Sequence, residues 1–225
     1  MESISLAIVI PAYNEESSIG DVVREILDTV NLDFRIIVVS DKSSDNTAAV
    51  AADAGALVVD LEQNHGYAGA IDQGFQYALE NLDPEYILTM DADGQHDPRV
   101  INSMYNLAVS HNIDIVTGRR PSCARISEKL YSFYFRNKFN IDDPLSGMKL
   151  YRTPVYVENN GFETFDSIGT ELLTKALIAR KKVEQINIPI RPRHDSEPRF
   201  GSLFRANKRI FVSLLNTVYR INVKF

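Results

Sequence analysis

Tyr86-Ile-Leu-Thr-Met-Asp-Ala-Asp-Gly-Gln-His-Asp-Pro98 joins a strand to a turn rich in carboxylates. Ile87, Leu88 and Met90 form a short apolar run of buried-strand character, and Gly94 ends it. Residues two apart on a strand point to one face, so Asp91 and Asp93 are expected to converge within about 7 Å. Two hard oxygen ligands at the carboxyl end of a strand suit Mg2+ or Mn2+, and such an ion would hold the phosphates of a nucleotide. Gln95 adds a neutral oxygen donor. Taken alone, Asp-x-Asp equally describes an Asp-rich turn, because Asp and Gly are common turn formers.

Upstream, Leu6-Ala-Ile-Val-Ile10 is a continuous apolar run closed by Pro11, the pattern of a parallel strand buried on both faces. Ser17 to Val30 carries apolar residues at helical spacing, and Phe34 to Val39 is a second strand. Asp45-Asn46-Thr47 caps an Ala-rich helix ending at Ala54, and Ala56 to Asp60 is a third strand. This β-α-β-α-β unit predicts right-handed crossovers and a ligand site beyond the carboxyl ends of the strands. Three loops should share that edge with Asp91 and Asp93: Pro11 to Glu16, Ser40 to Asp45, and Glu62 to Gly69. Tyr13 offers a ring face, Glu15 and Asp41 accept hydrogen bonds from base or ribose, and Gly66 and Gly69 let backbone amides approach phosphate.

Val9-Ile-Pro-Ala-Tyr-Asn-Glu15, Val38-Val-Ser-Asp-Lys-Ser-Ser-Asp-Asn-Thr47, Asn64-His-Gly-Tyr-Ala-Gly-Ala70 and Met90-Asp-Ala-Asp-Gly-Gln-His-Asp-Pro98 resemble, in order and spacing, the motifs of family 2 glycosyltransferases with the GT-A fold. The branch is similar to dolichyl-phosphate mannosyltransferases and bacterial polyprenyl-phosphate and cell-surface-glycan enzymes. The resemblance implies an α/β, Rossmann-like, mostly parallel sheet with helices on both faces. It also implies a nucleotide-diphosphate sugar donor held by Pro11, Tyr13, Glu15, Asp41, Gly66 and Asp91, and an Mg2+ or Mn2+ ion held by Asp91, Asp93 and Gln95. The family's paired acids followed by Gly read Ser40-Asp41-Lys42 here, a departure that bears on the identity of the base.

Downstream, Val100 to Val109 reads as a helix and Ile113 to Thr117 as a buried strand, followed by Gly118-Arg119-Arg120. In the polyprenyl-phosphate branch a Gly-x-Arg here and a second Arg face the acceptor phosphate, which carries over to Arg120 and Arg125. Ser127 to Asn140 mixes Arg136 and Lys138 with Tyr131, Phe133, Tyr134, Phe135 and Phe139. It fits a membrane-surface segment and a helix packed on the sheet about equally. Asp142-Asp-Pro-Leu-Ser-Gly-Met-Lys-Leu-Tyr-Arg152 resembles the family's acceptor-side stretch, so Asp143, Ser146 and Gly147 carry over, with Lys149 where Arg is common. Asp166 or Ser167 is expected to cap a helix carrying Glu171, which matches a family acid near the reaction centre. Val183 to Ile190 reads as a strand. His194 to Ser202 resembles a lid in which Arg199 would stabilise the departing diphosphate.

Composition narrows the classes. The chain has 225 residues, 44% hydrophobic, so it is not a disordered chain. No secretory leader and no apolar run near the roughly 20 residues of a membrane span is expected. The single Cys123 cannot form an intrachain disulfide and fits a reducing cytoplasm. Net charge is −6, yet Lys181 to Phe225 holds ten Lys/Arg against three Asp/Glu, +7, leaving −13 for residues 1–180.

The expected organisation is a catalytic domain over 1–202, with a donor half 1–118 and an acceptor half 119–202. Residues 203–225 follow as a basic amphipathic helix that would dock on lipid, a membrane-protein anchor, a second copy or its own domain. The enzyme is expected to be an inverting, metal-dependent hexosyltransferase, cytoplasmic and peripheral on the inner membrane face. A sugar hydroxyl acceptor would require a general base, for which Asp143, Asp166 and Glu171 are candidates; a polyprenyl phosphate would not. Two rivals are a sugar-nucleotide pyrophosphorylase, whose Gly-rich amino-terminal loop is missing, and a non-catalytic binding module. Nucleic acid is not an expected partner, because the only basic region is paired with an acidic body.

Overall fold

The computed structural model describes residues 4–122, 125–162, 170–192 and 203–223. At its centre lies β1 (Ile4–Ala12), paired in parallel with β2 (Phe34–Ser40) on one side and β4 (Pro84–Thr89) on the other, while β3 (Leu57–Asp60) extends the sheet beyond β2. Beyond β4 come β6 (Lys149–Arg152), β5 (Ile115–Arg119) and β7 (Val183–Asn187), giving the order β3-β2-β1-β4-β6-β5-β7. Only β6 runs antiparallel to its neighbours. The mostly parallel α/β architecture expected from the sequence is therefore the one found, and strands from both expected halves share one sheet.

The continuous apolar runs follow from burial on both faces. Leu6, Ile8 and Ile10 of β1 pack with Val23 and Ile26 of α1 (Ile19–Thr29) and with Ile101 and Met104 of α4 (Arg99–His111). The alternate residues Ala7 and Val9 pack with Ile71 and Phe75 of α3 (Gly66–Asn81) and with Leu172 and Leu173 of α7 (Thr170–Ile178). A Cβ at Gly74 would stand 3.0 Å from Val39 Cγ2, so that glycine lets α3 lie close on the sheet. Pro11 falls inside β1, yet the ladder to β4 ends at Val9↔Thr89, so no β4 carbonyl needs its missing N–H.

Several boundaries differ from the sequence-based expectations. The third donor loop stops at His65, and a helix starts at Gly66 instead of after Gly69. The strand expected over 113–117 is set two residues later, and the one expected over 183–190 ends at Asn187. β6 was not anticipated: it is four residues long and begins with a buried lysine, so it carries no apolar run. Short helices α2 (Thr47–Asp53) and α6 (Thr153–Glu158) complete the layers. Two further helices, α5 (Ile126–Phe139) and α8 (Leu203–Val223), form a third cluster in which Tyr131 and Phe135 pack on Ile210 and Leu214. The Asp166 or Ser167 cap and the 194–202 lid, with Arg199, lie outside the described residues.

Candidate active site

The carboxyl ends of β1, β2 and β3 deliver the three expected donor loops to one edge, and short hydrogen bonds join those loops to one another. Asn14 Oδ1 accepts from the Ser44 amide at 2.8 Å, and the Glu15 amide donates to Thr47 Oγ1 at 2.8 Å, linking the first loop to the second. Asp41 is buried at the end of β2; its Oδ1 accepts from the His65 amide at 2.6 Å and its carbonyl accepts from Asn64 Nδ2, which links the second loop to the third. Glu15 is also buried, and its Oε2 accepts from Ser18 Oγ at 2.8 Å. Tyr13 is half exposed beside them, and Gly66 has a φ of +70° at the start of α3. Lys42 has a φ of 60°, the left-handed region that favours glycine. The lysine thus holds a conformation that glycine would take without strain, at a cost on the order of 1 kcal/mol.

Asp91 sits one residue past Met90 with three neighbours the sequence reading did not assign to it. Tyr67, in the first turn of α3, donates its hydroxyl to Asp91 Oδ1 at 2.8 Å. Burial, and then the charge of Asp91, pushes the Tyr67 hydroxyl well above its ordinary pKa, so it remains a donor. His96 is buried behind the loop; its Nδ1 accepts from the Asp91 amide at 3.3 Å and its Nε2 lies 3.8 Å from Asp91 Oδ2. Gly147 presses on the carboxylate from the third side, where a Cβ would stand 2.6 Å from Asp91 Oδ1. Asp93 Oδ1 accepts from the Gln95 amide at 3.1 Å. Gln95 Nε2 donates to the Arg191 carbonyl at 3.3 Å, so the side-chain oxygen of Gln95 is left as an acceptor.

The root of this turn is clamped from two elements. Arg191 donates its amide to the Gln95 carbonyl, forks onto both Glu25 oxygens at 2.7 and 2.8 Å, and reaches Asp97 at 3.1 Å. The hydrogen bond from Arg99, aided by Arg191, holds the Asp97 carboxyl down to about 2. Arg191 lies 96 positions from Gln95, and nothing local to either residue signals the contact.

On the expected acceptor side, Arg119 ends β5 and Arg120 follows it. Arg120 forks onto Asp143 at 2.7 and 2.9 Å, and its amide donates to the same carboxylate. Glu128, buried in the first turn of α5, accepts from Arg125 at 2.9 Å and lies 4.0 Å from Arg120, so the two expected phosphate-facing arginines gather around one acid. Ser146 is fully buried; its hydroxyl accepts from the Met148 amide and its carbonyl from the Lys149 ammonium. Burial brings Lys149 down to about 8, opposed by the charges of Asp143 and Asp91. Glu171, in the first turn of α7, lies close enough to Tyr151 to help raise that hydroxyl's pKa beyond what burial does. A cleft of about 850 Å³ opens over Arg119, Arg120, Lys129, Phe133, Arg136 and Asp143.

Among the described residues no three His, Cys, Asp or Glu side chains converge as a complete metal cage. Two carboxylates and an amide oxygen suit instead an ion that completes its shell with diphosphate and water, the usual habit of Mg2+. Gly147 keeps one side of the Asp91 carboxylate clear of side-chain atoms.

Comparison with known proteins bears on the family and the fold. The chain is 26% identical over 220 residues to an uncharacterized glycosyltransferase of Mycobacterium tuberculosis, covering 92% of this chain and 94% of that one. It is 26% identical over 231 residues to the dolichol-phosphate mannosyltransferase of Pyrococcus furiosus, covering 92% of this chain and 63% of the other. It spans the same share, 63%, of an uncharacterized Methanocaldococcus jannaschii protein at 30% identity. The fold superposes on the glucosyl-3-phosphoglycerate synthase of Mycobacterium tuberculosis, crystallised with Mn2+, UDP and glucosyl-3-phosphoglycerate, with a TM-score of 0.73 at 19% identity over 97% of this chain and 80% of that one. The profile of glycosyl transferase family 2 matches residues 7–186, and the chain belongs to that family.

Proposed function

We propose that the protein transfers a hexosyl group, with inversion and with Mg2+ or Mn2+, from a nucleotide-diphosphate sugar to the phosphate of a polyprenyl phosphate. The observation that carries this reading is the cleft of about 850 Å³ in which Arg119, Arg120, Lys129 and Arg136 stand beside the exposed ring of Phe133. Guanidinium groups recognise phosphate in a fork geometry, and an aromatic wall accepts the first isoprene units. The dolichol-phosphate mannosyltransferase named above gives the same class of acceptor to a relative.

The donor would lie over the first three loops, its base against Tyr13, Asp41 and Glu15. Its diphosphate would meet the Gly66 end of α3 and an ion held by Asp91, Asp93 and Gln95. Bound there, that ion would supply charge stabilisation at the leaving diphosphate. Tyr67 and Gly147 hold the Asp91 carboxylate in one rotamer. In this reading Arg199 adds positive charge as the diphosphate departs. Arg120 and Arg125 orient the acceptor phosphate for in-line attack, while Ser146 and Gly147 shape the wall between the two substrates. A phosphate monoester, with a second pKa of about 6, is already a nucleophile at pH 7 and needs no general base. That fits Asp143, whose two oxygens already accept from Arg120. Asp166 and Glu171 are then positioning acids. The reaction would take place at the cytoplasmic face of a membrane.

A glycan hydroxyl acceptor is the second reading, favoured by the polar recess beside Arg119 that Asn140, Asp142, Gln185 and Asn187 line. It would need one of the three acids as base. The two readings separate in one assay: the purified chain with UDP-, GDP- and dTDP-sugars and Mn2+, offered either a short-chain prenyl phosphate or a phosphate-free oligosaccharide. Sugar on the prenyl phosphate, abolished by EDTA and by Asp93→Asn, is the expected result. Transfer to the oligosaccharide alone would overturn the proposal.

A further inference from the structure

Two neighbouring helices leave apolar stripes in solvent. On α5, Ile126, Leu130 and Phe133 recur at i, i+4 and i+7, and Ile126 and Phe133 are 75% and 69% exposed. On α8, Phe211, Val212, Leu215 and Tyr219 likewise share the outward side. Their inward sides are fastened together: Tyr131 Oη lies 2.8 Å from Thr217 Oγ1, and Ser127 Oγ donates to Asn207 Oδ1 at 2.7 Å, over a buried layer of Phe135, Ile210 and Leu214. The outward stripes are therefore left over after the helices have been packed and are not an unfilled core.

Charge selects the occupant. The chain is acidic overall at −6, yet α8 contains no Asp or Glu, and the one acid of α5, Glu128, is buried against Arg125. The charged residues exposed beside the stripes include Lys129, Lys138 and Lys208. Apolar and aromatic groups flanked by lysines, with acids withdrawn, match a bilayer interface carrying anionic headgroups. None of the described helices is long and apolar enough to cross a membrane.

We propose that the outward faces of α5 and α8 dock this protein on an anionic membrane surface. The inference rests on the lipid-phosphate reading in one respect, that Phe133 and Lys129 belong both to the α5 face and to the wall of the acceptor cleft. Docking by this face sets the cleft mouth at the headgroup layer, where a phosphate tethered to a membrane-embedded chain reaches Arg119 and Arg120 without leaving the bilayer.

The test is co-sedimentation of the full chain with phosphatidylcholine vesicles, with and without phosphatidylglycerol. Binding that requires phosphatidylglycerol, weakens with salt, and falls at least about tenfold in Ile126→Ser/Leu130→Ser and in Phe211→Ser/Leu215→Ser is expected. All four residues are exposed, and unchanged thermal unfolding would show that the variants fold. Equal binding to pure phosphatidylcholine, unaltered binding of both variants, or a solution dimer dissolved by the same substitutions would overturn the docking face. Turnover of a water-soluble short-chain prenyl phosphate is measured in parallel. Vesicle failure with that turnover intact refutes the docking face alone, and absent turnover with vesicle binding intact refutes the acceptor reading alone.

Discussion

Replacing Gly147 by alanine tests whether the Asp91 carboxylate is held in one position by its surroundings. The backbone of Gly147 does not lie in the left-handed region, so alanine brings no conformational strain of its own. Its Cβ would stand 2.6 Å from Asp91 Oδ1 and 2.8 Å from Asp91 Cγ, closer than real Cβ contacts come. Thr89 Oγ1 anchors the Gly147 carbonyl at 2.7 Å, so the carboxylate must give way instead of the loop. Rotating it off its rotamer costs about 0.5–1.5 kcal/mol, and stretching or losing the Tyr67 hydrogen bond to a charged acceptor costs about 1.5–3 kcal/mol. Together these are roughly 2–4.5 kcal/mol, or about 30- to 2000-fold in an equilibrium or rate constant. The expected outcome is a loss of that size in kcat/KM and in Mn2+-dependent binding of the nucleoside diphosphate, read by calorimetry, with the unfolding midpoint little changed. Activity within threefold of the parent at the same Mn2+ concentration would refute the reasoning.

Tyr67→Phe removes only the hydroxyl that Asp91 accepts and should weaken Mn2+-dependent nucleotide binding about 10- to 100-fold, measured by the same calorimetry, while the fold is retained. Asp97 has a folded pKa of about 2, below its unfolded value near 3.9, so its contribution is present above pH 4 and is lost as pH falls through 2. Urea unfolding from pH 5 to 2 should show a stability difference between the parent and Asp97→Asn of up to about 2 kcal/mol that vanishes at the acid end. Lys149 gives a slope of the same sign in a higher pH window. Its folded pKa of about 8 lies below the unfolded 10.5, so between those values the unfolded chain holds a proton that the native state has released, and stability rises with pH. The stability of the parent relative to Lys149→Met should therefore improve by about 2 kcal/mol from pH 7.5 to pH 10, and a flat difference would contradict the burial of that ammonium.

The parallel part of the sheet was legible because its strands are buried on both faces. Continuous apolar runs such as Leu6 to Ile10 have no other economical explanation in a chain of this composition. The short antiparallel β6 was not legible: Lys149 opens it, and a buried lysine there is attended by Ser146, Asp143 and the distant Asp91, whereas a window of sequence reads a lysine as exposed. The same holds at the site. Asp91, Asp93 and Gln95 alternate within five residues of the chain, so the oxygen ligands they offer are visible from type and spacing alone. Tyr67 was inside a quoted motif, yet its aim at Asp91 depends on α3 starting at Gly66 instead of after Gly69.

The residues alone determined which groups are available: two acids and an amide after a strand, arginines after another, and a basic amphipathic end on an acidic body. They did so because type and period are local properties, set within a few residues by pleat and helical repeat. Only the tertiary structure decided how those groups are paired. Nothing near Arg120 in the chain pairs it with an acid; the fold sets it beside Asp143, with Glu128 shared between it and Arg125. Gly147 could have been any turn glycine; the close approach of its segment to the Asp91 carboxylate makes it a contact that admits no side chain. Such pairings are fixed by which strands lie side by side in the sheet, a global packing outcome that no single segment encodes.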